Sequence, residues 1–417
     1  MDPERNTMHI LFRWIVLLLG VCVATIAGVV GANAQGKQGF IYGKVHTDKN
    51  TYTGPIRWGK EEVLWTDEFN AAKTSSRYEK MVPEQKEESD SWLNFDWKLS
   101  SIWEDKSTTH QFTCQFGNLS EVIPQERSNV MLKFKNGRGL VVNGEGYNDI
   151  GATIHVWDSE LGELNISWDN VRRIEFMPFP ASEKAALGTP IYGTVESVRH
   201  EKFTGFIIWD KDERISTDKL DGDSNDSDVA IAFGDIVSIE KSGRGCDVAL
   251  KSGRSFHLTN SNDVNSENRG VQVYTQDVGI VTLSWDAFRQ VTLATPPNDL
   301  AAYEDFPVPH ALRGTVSLLD DKDATGQIVY DIDEVFDFEF LEGKENDIEY
   351  QIPFRNIKRI TPKNFDYSTI ELRSGRSLLL GGGRDVSSKN AGLLILGKDK
   401  NTSQYVPWKK INVITFQ

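Results

Sequence analysis

One phrase occurs six times in this chain, and no other feature restricts its fold as strongly. It reads as an apolar residue or Cys, any residue, Phe or Trp, two residues, an apolar residue, two residues, then Ile or Val. The copies run Cys114 to Val122, Ile166 to Ile174, Ile231 to Ile239, Leu283 to Val291, Ile352 to Ile360 and Val406 to Ile414. Their aromatic residues are Phe116, Trp168, Phe233, Trp285, Phe354 and Trp408. Successive spacings are 52, 65, 52, 69 and 54 residues, so the six units come as three pairs joined by longer connections. A fixed period of this size marks a repeat architecture.

The two units of a pair differ. First units open with Gly43-Lys44-Val45, Gly193-Thr194-Val195 and Gly314-Thr315-Val316. Each runs on to a Gly before a strand, as in Gly205 to Trp209, and then to an acidic turn. Second units open with a strand and a Gly-Arg turn, as in Gly253-Arg254, and carry an Asp before a further strand: Asp149, Asp263 and Asp385. Alternating apolar residues between glycine turns are the pattern of half-buried antiparallel strands. Eleven Trp and 21 Phe supply the bulk that small β units need in their interiors.

The expected fold is all-β. About fifty residues, four or five short strands and a turn before the last strand describe a small barrel. The closing phrase resembles the end of SH3 domains, where a one-turn 3₁₀ segment joins the last two strands; Val406 to Ile411 carries the likeness. The first units resemble the Sm fold, through Gly205 to Asp210 and the closing strand Ile231 to Ile239. The whole looks similar to tandem-repeat exported bacterial proteins, a resemblance that implies no particular activity. These likenesses imply three tandem pairs of small barrels, with a six-bladed propeller as the alternative. Each fifty-residue block is then expected to bury its own aromatic plug and to complete its own sheet.

The expected boundaries follow. Residues 1–34 read as a secretory signal: Arg5 and Arg13, the uncharged stretch Trp14 to Ala34, and Ala32-Asn33-Ala34 before a cut. An uncleaved membrane anchor is the alternative, since the stretch is long enough to span a bilayer. The pairs are 35–176, 191–293 and 312–417, with Pro- and Ala-rich connectors at 177–190 and 294–311. The first pair holds a charged insertion at about 67–110. Its residues Trp92, Trp97 and Trp103 are candidates for recognition or for docking the insertion. Net charge is −15, which disfavours nucleic acid as a partner. Cys114 and Cys246 occupy non-equivalent places, so no repeating disulfide framework is expected.

The acidic turn is the best candidate for chemistry because it recurs in register: Glu61-Glu62, Asp212-Glu213 and Asp333-Glu334. Paired carboxylates suit Ca²⁺ or an acid–base pair in glycoside cleavage. The plainer reading is a solvated turn. Asp221 to Asp228 faintly resembles a Ca²⁺ loop but lacks its Gly and Glu positions. The seven His do not recur in register, and no nucleophile elbow or phosphate loop is present. The reading that follows is an exported, non-catalytic binding or scaffold protein, expected to need no cofactor, with envelope polysaccharide or protein as partner. The rival readings are a carbohydrate-active hydrolase and a Ca²⁺-dependent adhesion module.

Overall fold

The computed structural model describes residues 39–73, 78, 81–82, 110–180, 187–225, 227–297, 301–397 and 402–417. The signal-like segment and Trp92, Trp97 and Trp103 lie outside the described residues. Among the described residues the chain is all-β, with one-turn 3₁₀ segments and no α-helix. No helix there is long and apolar enough to cross a membrane.

The first pair contributes β1 (Tyr42–His46), β2 (Thr51–Trp58), β3 (Glu68–Lys73), β4 (His110–Gln115), β5 (Leu119–Pro124), β6 (Asn129–Phe134), β7 (Gly139–Asn143), β8 (Ile154–Asp158), β9 (Gly162–Ile166) and β10 (Arg173–Phe176). The second contributes β11 (Tyr192–Ser197), β12 (Lys202–Ile208), β13 (Lys219–Ser224), β14 (Ser227–Ala232), β15 (Ile236–Ser242), β16 (Gly245–Leu250), β17 (Ser255–Leu258), β18 (Val271–Thr275), β19 (Gly279–Leu283) and β20 (Phe288–Leu293). The third contributes β21 (Arg313–Leu318), β22 (Asp323–Val329), β23 (Phe340–Glu345), β24 (Ile348–Pro353), β25 (Ile357–Pro362), β26 (Tyr367–Leu372), β27 (Ser377–Gly381), β28 (Leu393–Leu396), β29 (Gln404–Val406) and β30 (Ile411–Phe416).

The strands of the first pair lie in the order β4-β3-β7-β6-β5-β10-β1-β2-β8-β9, all antiparallel. The same neighbours recur in the other two pairs, so the pair is the structural module. The third and seventh strands meet at a single residue pair in every module: Ala72 with Asn143, Asp223 with Thr259 just beyond β17, and Lys344 with Gly381. This order corrects the expectation that each fifty-residue block completes its own sheet. The hairpin β3–β4 of the first unit pairs with β7 of the second, and the hairpin β8–β9 of the second pairs with β2 of the first. The two units exchange hairpins, and their closing strands β5 and β10 pair at the centre. The sheets are open, and they do not divide into six blades.

The closing phrase folds as expected. Its aromatic residue starts a 3₁₀ turn at Phe116, Trp168, Phe233, Phe354 and Trp408, and a plain turn at Trp285. Five of the six rings are buried, and Trp168 is half-buried. Their packing is shared, though. The aromatic at the end of the second strand, or one residue beyond it, sits between the two phrases of each module. Trp58 lies 5.3 Å from Phe116 and 5.8 Å from Trp168. Tyr330 lies 4.9 Å from Phe354 and 6.2 Å from Trp408. Trp209 lies 6.2 Å from Phe233 and reaches the other phrase through Phe288, at 5.2 Å. Each such ring contributes a few kcal/mol through burial, about 3–5 kcal/mol on truncation to Ala.

Modules two and three share a sheet because β19 pairs with β24, Val281 opposite Tyr350. The second connector is docked on the first module. Phe306 covers Gly117 so closely that a Cβ there would lie 2.3 Å from its ring. Tyr303 donates its hydroxyl to the Leu119 carbonyl at 2.8 Å and takes the Lys135 ammonium 3.7 Å over its ring.

Candidate functional site

The recurring acidic turn and the recurring Asp meet at one place in every module. The turn carries the chain from the second strand to the exchanged third strand. The Asp lies on the segment that carries it from the seventh to the eighth. Both are the crossovers of the hairpin exchange, and hydrogen bonds tie them together. Trp58 Nε1 donates to the Asp149 carbonyl at 2.7 Å, and Trp209 Nε1 donates to that of Asp263 at 2.9 Å. The Tyr330 hydroxyl donates to the Asp385 carbonyl at 2.6 Å. The Asp side chains accept a backbone N–H from the third strand: Asn70 to Asp149 at 2.5 Å, Asp221 to Asp263 at 2.7 Å and Glu342 to Asp385 at 2.7 Å. An aspartate that accepts a buried N–H satisfies a donor whose burial would otherwise cost about 1–3 kcal/mol.

The turn itself is closed by its backbone, with Trp58 N, Trp209 N and Tyr330 N donating to the carbonyls of Glu62, Glu213 and Glu334 at 2.7, 2.9 and 2.9 Å. It starts in the left-handed region, with φ of 62° at Gly59, 49° at Asp210 and 47° at Asp331. Gly takes this freely and Asp is among the few other residues that tolerate it. A second carboxylate clamps the turn from five residues beyond its glutamate. Asp67 accepts from Val63 N and Leu64 N, Asp218 from Arg214 N and Ile215 N, and Glu339 from Val335 N and Phe336 N, all at 2.6–3.0 Å.

These clamp carboxylates are ion-paired, each to a cation from another module. Arg214 of the second module lies 3.4 Å from Asp67 and 3.4 Å from Glu62 of the first. Arg57 of the first lies 3.1 Å from Asp218 of the second. Lys73 of the first lies 3.1 Å from Glu339 and 2.9 Å from Asp333 of the third. The turns are therefore not the solvated loops of the plainer sequence reading.

No family model, curated protein or solved structure matches this chain. The chemistry of the turns must be judged from their own electrostatics. Burial pushes the Glu62 carboxyl well above its ordinary value, and Arg214 opposes that push. Burial also pushes Glu213 up to about 9, with Asp263 and Asp212 adding to it. Burial pushes Asp149 and Asp263 to about 6, against the pull of their backbone donors. Glu334 is raised by burial, then by Asp333. Burial would lower the Lys73 ammonium, but Glu339 and Asp333 outweigh it and hold it above the usual lysine value.

The six predicted turn residues are thus brought together only in part. Burial raises the Glu61 carboxyl of the first module, Arg214 opposes that, and the neighbouring Asp212 of the second module adds to it. Arg269 pairs with Asp212 and Asp210. Asp333 and Glu334 of the third module face Lys73 instead. Among the described residues no group of three or more carboxylates, His or Cys is arranged to hold a metal ion. Cys114 and Cys246 are both buried free thiols. Sequence reading missed Arg214 and Lys73. The available signal was a break in the repeat at Arg214, which stands where the other modules have Val63 and Val335; Lys73 stands at a position that does not repeat, with Ser224 and Glu345 as its counterparts, and gave none.

Proposed function

We propose that this chain is an exported, non-catalytic binding or scaffold protein of the cell envelope, whose rigid set of modules presents its outer surface to polysaccharide or protein. One observation carries this reading. Of the recurring turn acids, Glu62 and Asp333 face cations of a neighbouring module, and the clamp acids Asp67, Asp218 and Glu339 and the recurring Asp263 are taken up by backbone N–H groups or such cations, while Glu213 is buried with its proton held. A hydrolase needs an acid and a base facing one accessible bond. Here the recurring acids face the joints between modules. The signal-like N-terminus, with Ala32-Asn33-Ala34, supports export.

The test is a glycan array run beside a reducing-sugar release assay on the same polysaccharides. The expected result is retention on one or more glycans, or on an envelope protein, without release of reducing ends. Turnover that disappears in Glu62→Gln would overturn the reading in favour of a hydrolase.

A further inference from the structure

The three modules serve as controls for one another, and one surface of the third departs from the repeat. The hairpins β6–β7, β16–β17 and β26–β27 are equivalent. Their inward residues are apolar in all three: Leu132 and Leu140, Val248 and Phe256, Ile370 and Leu378, each pair in register. The outward residues differ. The first module shows Met131 opposite Val141, and the second Asp247 opposite His257, 2.7 Å apart. The third shows Thr369 opposite Leu379 and Tyr367 opposite Gly381.

Tyr367 is 44% exposed, Leu379 47%, and Phe365 in the preceding loop 79%. The matching loops read Gln125 to Ser128 and Ser242 to Arg244, with no aromatic residue. Two modules make this hairpin without the rings, so the fold does not require them. Exposed apolar side chains grouped in this way mark interaction sites.

The loop backbone that carries the rings is held in place. Asn364 Oδ1 accepts from the Asp366 and Tyr367 N–H groups, both at 2.9 Å, and Ser388 N donates to the Phe365 carbonyl at 2.7 Å. The Tyr367 ring lies across Gly381, where a Cβ would come within 2.5 Å of it. Beside it opens a cleft of about 460 Å³, lined by Tyr367, Leu379, Thr369, Ser377, Asn364 and Glu345 among others.

We propose that this cleft binds a neutral oligosaccharide, with Tyr367 and Leu379 as the apolar platform and Asn364, Thr369, Ser377 and Glu345 as hydroxyl partners. The volume falls within the roughly 300–1,000 Å³ of small-ligand sites. A stable protein interface buries more than about 1,000 Å² and would not be confined to such a cleft. A pyranose ring offers an apolar C–H face with a rim of hydroxyls, which matches an exposed ring bordered by small polar groups. The cleft carries one carboxylate and one ammonium, Glu345 and Lys363, and so no net charge of its own, while the chain's net charge of −15 disfavours anionic glycans. This inference rests on the binding reading above and names its site.

The test titrates the full chain with cellohexaose, laminarihexaose, chitohexaose and maltohexaose, followed by calorimetry and by saturation-transfer NMR. At least one hexaose is expected to bind, with affinity falling tenfold or more in Tyr367→Ala and in Leu379→Asn. Val141→Thr, at the matching place in the first module, should leave it unchanged. Leu379→Asn changes an exposed side chain, so it remains informative if Tyr367→Ala fails to fold. Binding that persists unchanged in both variants would overturn this site alone. No binding of any hexaose to the unaltered chain would overturn the site together with the glycan part of the binding reading. Release of reducing ends would overturn the non-catalytic reading.

Discussion

At the scale of single residues, the acids that recur in register act through their environment more than through their charge. Glu213 has no cation against it, and its Oε2 has no hydrogen-bond partner among the described residues. Burial holds its carboxyl up to about 9. A folded-state value above the unfolded one means that the folded chain keeps a proton which the unfolded chain releases. Its contribution to stability is complete below the ordinary glutamate range and is lost as pH rises toward about 9. Glu213→Gln should therefore melt a few degrees higher than the unaltered chain at pH 8. The difference should close as the pH falls to 4.5. A constant difference across that range, read by thermal unfolding, would show that proton binding at Glu213 is not involved.

At the scale of strands and turns, much was legible in the sequence. The phrase around Phe116 and its counterparts specifies a local turn, and local turns need only a few neighbouring residues. The recurring glycines were legible as a pattern, and the structure shows what they serve. Gly43, Gly193 and Gly314 lie where the first strand of a module crosses the last. A Cβ at any of them would sit 2.3 Å from the carbonyl oxygen of Glu175, Thr292 or Thr415. Gly314→Ala should destabilise by about 3 kcal/mol, the upper end of overpacking costs. Gly253, at φ 84° with open space around it, should accept Asn at less than about 1 kcal/mol. Chemical denaturation of the two variants makes the comparison. What the sequence did not reveal is which strands pair. Asp149 and the turn at Glu62 both recur in register, but only their hydrogen-bonded contact identifies them as crossovers of an exchange. Either pairing buries the same alternating residues, so periodicity cannot separate the two.

At the scale of the whole molecule, the joints between modules were the least legible part. Arg214 is one departure from a valine shared by the other two modules, and Lys73 stands where the three modules all differ, so neither position says which module it faces. Both joints are buried ion pairs, and the loss of one partner leaves carboxylates without a counter-ion, at about 3–5 kcal/mol. The β19–β24 pairing joins the second and third modules, and apolar contact comes from the docked Tyr303 and Phe306 and from Phe336 and Phe338 of the third module, 5.2 and 5.0 Å from Phe134 of the first. The chain should therefore melt in one calorimetric transition. Lys73→Met, which frees Asp333 and Glu339, should split it into two, with the third module leaving the first. A single, unshifted transition in that variant would show that this pair does not couple the modules.

The ten-stranded module, built by hairpin exchange, is the unit of this fold, and the strand pairing itself is the most direct test of it. Phe206 on β12 lies opposite Tyr274 on β18, in the other unit of its module. The pair F206C and Y274C should oxidise to an intramolecular disulfide found by peptide mass mapping, whereas F206C with K219C on β13 should not. A bridge from position 206 to 219 and none to 274 would contradict the exchange and restore the self-contained fifty-residue barrel.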